Sequence, residues 1–324
     1  MKLRNIFSLA LCAAAFLSVS AQNNWMADLP DDAKVRELSI PGSHDAATSS
    51  LSGGSFGGKA QSYTIADQWE KGVRVFDLRP REDMKIYHTY DTGVTMDNVF
   101  TTLQQKLEAN PTEIAIMVIR LERDNPTATQ NSTFNTNMKS LVEKYDDLIV
   151  EFSPSLKVKN ARGKIIILSR NEFESDKAAM LYDWAHWPTL GEQKDHFVTL
   201  KLGRARGKMY LQDKFEYDNG DIKKDAVSGL LNWAAENTYE PIWIINHASG
   251  YKPSLLGTGA TTQFETNAKL INPFIIENMP SKGRVGIIMM DFAGDGDGSG
   301  YYGKSLVDAV IAQNWTYLTK KSTE

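Results

Sequence analysis

Two of the five histidines in this chain stand where an imidazole could exchange protons near neutral pH. His44 lies in Leu38-Ser39-Ile40-Pro41-Gly42-Ser43-His44-Asp45-Ala46-Ala47-Thr48, where a short strand running into a Pro-Gly turn is expected to deliver His44 and Asp45 together. His88 follows the run Lys85-Ile86-Tyr87, nine residues after Arg79. A hairpin-like return after Asp77-Leu78-Arg79-Pro80-Arg81 would turn this histidine and arginine toward one pocket. His186, between Trp184 and Trp187, and His196, beside Asp195, read as structural or surface groups. Two imidazoles, a guanidinium and one or two carboxylates suit the splitting of a phosphodiester that has a neighbouring hydroxyl. One imidazole takes the hydroxyl proton and the other protonates the leaving oxygen. The guanidinium meets the phosphoryl oxygens with two parallel hydrogen bonds where negative charge grows.

That scheme needs neither metal nor cofactor, and the sequence offers little to hold one. Asp295-Gly296-Asp297-Gly298 has the look of the start of a calcium loop, but Ser305 to Asp308 supplies no glutamate at the twelfth position. No closely spaced His or Cys ligands suggest zinc. The single cysteine, Cys12, lies in the N-terminal leader, and Leu11 before it is not the small residue a lipoprotein signal uses. Beyond the leader there is no disulfide, thiolate ligand or cysteine nucleophile to consider.

The elements that must position these groups recur along the chain. Apolar runs span Val73 to Arg79, Ile114 to Arg120, Lys164 to Arg170, Lys208 to Asp213, Ile242 to His247 and Arg284 to Asp291. Near-continuous hydrophobic runs of this kind suit strands buried on both faces, as in parallel sheets. Helix-like segments such as Asn98 to Ala109, Asp225 to Glu236 and Thr262 to Glu277 lie between several of them. The alternation argues for an α/β barrel, in which reactive groups sit where strands end. Arg79, Arg120, Arg170, Asp213, His247 and Asp291 all hold such positions. Ser49 to Lys59, rich in Gly and Ser, reads as a mobile rim loop.

Met1 to Ala21 has a charged start, an apolar middle and a small-residue exit, the pattern of a secretory signal peptide cut after Ala21. Export to periplasm or medium is expected, with residues 22–324 forming a single catalytic barrel and no membrane-spanning segment. Losing Lys2 and Arg4 with the leader takes the formal charge from −4 to −6, which disfavours nucleic acid and any electrostatic hold on anionic membranes.

Several segments together resemble the catalytic X region of the bacterial phosphatidylinositol-specific phospholipases C. They are Ile40 to Asp45, Gly72 to Arg79, the short strand to His88, Glu113 to Arg120, Ala161 to Arg170, Leu211 to Phe215 and Gly286 to Asp291. The resemblance implies a distorted, incompletely closed barrel of the TIM type. It also implies cleavage of phosphatidylinositol to diacylglycerol and inositol 1,2-cyclic phosphate, with no metal. His44 would be the base on the 2-hydroxyl, oriented by Asp291. His88, helped by Asp45, would be the acid, and Arg79 would bind the phosphoryl group. Arg120, Arg170, Asp213 and Phe215 would line the headgroup pocket, where the family pattern has lysine and tyrosine in place of Arg120 and Phe215. Calcium-using relatives place an acidic group where Arg79 stands, so this arginine argues for metal independence. The expected partner is an inositol phospholipid at a membrane surface, met transiently by a monomer. Leu51, Phe56, Tyr251, Leu255 and Leu256 are the apolar candidates for that contact. Two other readings stay open: a metal-dependent glycerophosphodiesterase-type barrel, and a barrel that binds inositol or glycans without turnover.

Overall fold

The computed structural model describes residues 23–53, 58–173, 175, 177–181, 184, 198–202, 207–252 and 261–319. The leader with Cys12, and Phe56, His186, Trp187, His196, Leu255 and Leu256, lie outside the described residues. The strands are β1 (Ile40–Ser43), β2 (Val75–Leu78), β3 (Lys85–His88), β4 (Tyr90–Thr95), β5 (Ile114–Ile119), β6 (Lys164–Ser169), β7 (Ala178–Met180), β8 (Val198–Leu202), β9 (Gly207–Gln212), β10 (Ile242–His247) and β11 (Ile287–Met290).

Nine of them form one sheet in the order β7-β6-β5-β2-β1-β11-β10-β9-β8. All neighbours pair in parallel except β8 with β9. Among the described residues β7 and β8 do not pair with each other, so the barrel stays open on that side. The expected fold, an incompletely closed α/β barrel, is the one observed. Strands such as β5 and β10 are buried at every residue, which explains why they read as unbroken apolar runs.

Several helices begin where side chains cap them. Thr95 accepts from Asn98 N, and Asn98 reaches back to Thr95 N, opening the helix Met96–Ala109. Asn219 accepts from the main chain of Asp221 and Ile222, so the helix Gly220–Glu236 starts over a turn before the expected Asp225. The helix Ala128–Lys144 is not evident from the sequence because it buries only Phe134, Met138 and Val142, a narrow stripe on a polar rod.

One expectation is corrected. Pro41-Gly42 is not a turn but the middle of β1, and the chain turns only after His44. Pairing with β2 begins at Gly42 opposite Val75, so the N–H that Pro41 lacks costs no rung of that ladder. Gly42 is needed for packing: a Cβ there would lie 2.4 Å from Met289 Sδ on β11.

Candidate active site

The strand ends converge as the sequence implies. Arg79, Arg120, Arg170, Asp213 and Asp291 immediately follow β2, β5, β6, β9 and β11, and His247 closes β10. His44 and Asp45 follow β1. The main chain of Asp45 turns into the left-handed region (φ 45°), which aspartate tolerates better than most residues, and Phe292 after Asp291 does the same (φ 53°). These reversals aim the side chains of the two central strands at each other. Gln61 holds them there, donating from Nε2 to the main-chain oxygens of His44 (2.7 Å) and Met290 (2.9 Å) and accepting from Ala293 N (2.9 Å).

His44 is nearly buried, with Nδ1 2.8 Å from Asp291 Oδ1. Asp291 is fixed in turn by Asn267, whose amide donates to its Oδ2 at 3.5 Å. A carboxylate at Nδ1 keeps the proton there and leaves Nε2 as the reactive atom. Nε2 lies 2.9 Å from Arg79 Nη2 and 3.3 Å from Asp45 Oδ2. Burial works against a charged ring, but Asp45 and Asp291 outweigh it and raise His44 to about 9.

His88 reaches the site from the β3–β4 hairpin. Its Nε2 is also 3.3 Å from Asp45 Oδ2, and its Nδ1 is 2.6 Å from the main-chain oxygen of Gly58. Both neighbours are hydrogen-bond acceptors. Gly58, from the Gly/Ser-rich segment, therefore belongs to the site. Gly58 (φ +69°) brings its carbonyl close enough only because it has no Cβ, which would stand 2.9 Å from His88 O.

Asp45 Oδ1 lies 2.7 Å from Arg79 Nε, as an ion pair set off the N–H direction rather than a hydrogen bond. Burial would raise the Asp45 carboxyl, but Arg79, His44 and His88 hold it well below the usual carboxylate range. Arg79 is likewise raised by Asp45 and Asp77 against the effect of burial. Asp77, which closes the ring of charges with Oδ2 3.5 Å from Arg79 Nη2, is a site residue to which the sequence reading gave no role. Its only signal was its place one turn of the strand pleat before Arg79, on the same face. His44, Asp45 and Asp77 each offer a ligand atom within 4.8 Å of the others, a set that could in principle hold a cation. The Arg79 guanidinium already stands against all three.

A pocket of about 200 Å³ opens beside this cluster, lined by His44, Asp45, Arg79 and His88 on one side and by Arg120, Arg170, Asp213 and Phe215 on the other. Arg170 lies with its guanidinium carbon 4.5 Å from the Trp184 ring centroid, and burial together with Arg120 pushes it down to about 9. Trp184 Nε1 donates to Asp213 Oδ2 at 3.1 Å. All four expected headgroup residues are thus brought together. Tyr251 and Phe264 complete the wall, with Phe264 ring-centred 5.9 Å from His44 and 5.6 Å from His88. Phe264 sits on a helix whose pattern gave no hint of a pocket. Tyr251, expected among the membrane contacts, packs against Phe215 and Phe264 and hydrogen-bonds Glu216.

An open α/β barrel carrying two imidazoles and a guanidinium around one carboxylate at its strand ends defines a class built for phosphodiester chemistry. Residues 38–171 match the family described as phosphatidylinositol-specific phospholipase C, X domain. A 1-phosphatidylinositol phosphodiesterase of Staphylococcus aureus is 27% identical over 302 residues, covering 87% of this chain and 91% of that protein. One from Listeria monocytogenes is 31% identical over 160 residues, covering 45% of this chain, which spans about half (48%) of that relative. A solved structure of the S. aureus phosphatidylinositol-specific phospholipase C, studied for its membrane binding, superposes with a TM-score of 0.73 at 24% identity, covering 90% of this chain and 99% of that one. Over most of its length the chain is similar to the bacterial phosphatidylinositol-specific phospholipases C.

Proposed function

We propose that this enzyme cleaves the glycerol–phosphate bond of phosphatidylinositol, giving diacylglycerol and inositol 1,2-cyclic phosphate, without a metal. The observation that carries the reading is one carboxylate oxygen, Asp45 Oδ2, standing 3.3 Å from the Nε2 atoms of both His44 and His88. His44 removes the proton of the inositol 2-hydroxyl, whose oxygen attacks phosphorus. His88 gives its proton to the departing glycerol oxygen. Arg79, drawn from His44 to the phosphoryl oxygens when substrate enters, offsets the charge that grows on them. Asp291 holds the tautomer of His44, and Asp45 ties the acid to the arginine. Arg120, Arg170 and Asp213 bond the ring hydroxyls, and Phe215 covers an apolar ring face. Metal independence is supported by Arg79, whose charge would repel a cation among His44, Asp45 and Asp77.

Export through the N-terminal leader and transient bilayer contact belong to the same reading. Phe215, 42% exposed at the pocket mouth, supports the contact, and a monomer is part of the same proposal. The decisive experiment is phosphorus NMR of the protein with phosphatidylinositol micelles and excess chelator. The cyclic phosphate is expected to accumulate. Turnover only after a divalent cation is added would replace this reading with a metal-dependent phosphodiesterase. Headgroup binding without turnover in either condition would leave a binding barrel.

A further inference from the structure

A fully buried lysine lies beneath the headgroup side of the pocket, and no step of the reaction uses it. Lys223 sits in the first turns of the helix Gly220–Glu236. Burial pushes its ammonium down to about 7, against the pull of Asp213 and Asp291. Its Nζ has three acceptors: the main-chain oxygens of His247 (2.7 Å) and Lys214 (2.9 Å), and Gln212 Oε1 (3.4 Å). An ammonium has three hydrogens to give, so the charged form is fully used.

These acceptors belong to the ends of two adjacent strands, β9 and β10. Gln212 extends the network, donating from Nε2 to Asn246 Oδ1 and to His247 O, each at 2.8 Å, and accepting from Lys214 N at 2.7 Å. Asn246 returns to the helix through Val227 O (3.0 Å). Asp213 is therefore bracketed by two residues that contact Lys223. Phe215 follows directly, its N–H donating to Asp213 O at 2.8 Å. The bonds of Lys223 touch no residue of β1, β2 or β11, which place the reacting groups.

Building on the phosphodiesterase reading, we propose that Lys223 is a positioning residue for the headgroup subsite: its ammonium ties together the strand ends that present Asp213 and Phe215, and so sets affinity for the polyhydroxylated ring without touching it. A lysine that served folding alone would affect stability and leave headgroup affinity unchanged.

The two roles are separated by measuring KM and kcat on phosphatidylinositol, and myo-inositol binding by calorimetry, in the full protein and in Lys223→Met. KM and the inositol dissociation constant are expected to rise together by about tenfold, the effect of weakening about one hydrogen bond to the ring, with kcat nearly unchanged. Lys223→Gln, which keeps amide donors for the main-chain oxygens, should recover part of the loss. A folded Lys223→Met with wild-type KM and inositol affinity overturns the proposal, as does a fall in kcat alone. Should the methionine variant not fold, the glutamine variant carries the same readout: weakened inositol binding supports the proposal and wild-type binding overturns it. Absence of turnover in the unaltered protein would count against the phosphodiesterase reading instead, and inositol binding would still report on Lys223.

Discussion

Strands β2 and β11 each carry a charged residue at both ends, all buried except the half-buried Arg79, and the two ends behave differently. Arg74 precedes β2 and Arg79 follows it; Arg284 precedes β11 and Asp291 follows it. At the N-terminal end Arg74 donates to Glu113 (2.9 Å) and to the main-chain oxygens of Trp69, Val73 and Asn23. Arg284 gives its bonds to the main-chain oxygens of Arg36, Ile242, Asn237 and Glu240. Burial lowers both arginines, Arg284 to about 10. At the C-terminal end Arg79 is raised instead, because its partners are the carboxylates Asp45 and Asp77. Arg284 is held by peptide oxygens, which do not titrate, and Arg74 by three of them and the one carboxylate of Glu113, all sealed from solvent, so the lower arginines act as struts. The upper charges share partners with one another and open onto a pocket, so an incoming phosphate can redistribute them. Both ends hold charge largely out of water, and what sets the upper end apart is that its charges share partners and open onto a pocket.

The contrast predicts opposite responses to substitution. The largest effect on activity is expected at the upper end: His44→Ala and His88→Ala should each lower kcat by about 10²–10⁴-fold, the usual range for a lost general acid or base. Activity near wild type in either variant would remove that histidine from the mechanism. Next, Arg74→Met at the lower end should cost about 3–5 kcal/mol in denaturant unfolding, because Glu113 is left buried without its cation, while the folded fraction keeps its kcat. A lost kcat in folded Arg74→Met would erase the distinction between the two ends. The smallest and sharpest test is Asp291→Asn. His44 acts as a base only when Nε2 is free, and burial opposed by Asp45 and Asp291 sets it at about 9, so kcat/KM should climb with pH through neutrality toward that value. Removing the Asp291 charge should move the climb to lower pH and reduce the plateau. An unshifted limb would mean that Asp291 does not set the proton affinity of the ring.

Much of this site was legible in the sequence because a parallel barrel writes its geometry in one dimension. Each apolar run ended in the charged residue that the structure places at the rim, as with Ile114–Ile119 before Arg120 and Lys164–Ser169 before Arg170. What escaped is what depends on contacts across the sequence. Trp184 meets Asp213 from 29 residues away, and Gln61 bonds Met290 from 229. Neither residue type signals a site, since a tryptophan is usually core and a glutamine usually surface. Asp77 was overlooked beside Arg79 because a strand carboxylate is recognisable as a partner only once the neighbouring strand brings His44 within 4.0 Å.

By itself the sequence determined the alternation of elements, the charged and imidazole residues at the strand ends and their order along the chain, because periodicity and strand-end position are local properties of the chain. The tertiary structure alone decided which oxygen of Asp45 both histidines share, that Gly58 supplies the carbonyl held by His88, and that Lys223 ties Lys214 to His247. The physical reason is range: a hydrogen bond is made or lost within a few tenths of an ångström, and residues distant in the chain reach that precision only when the packed sheet fixes them.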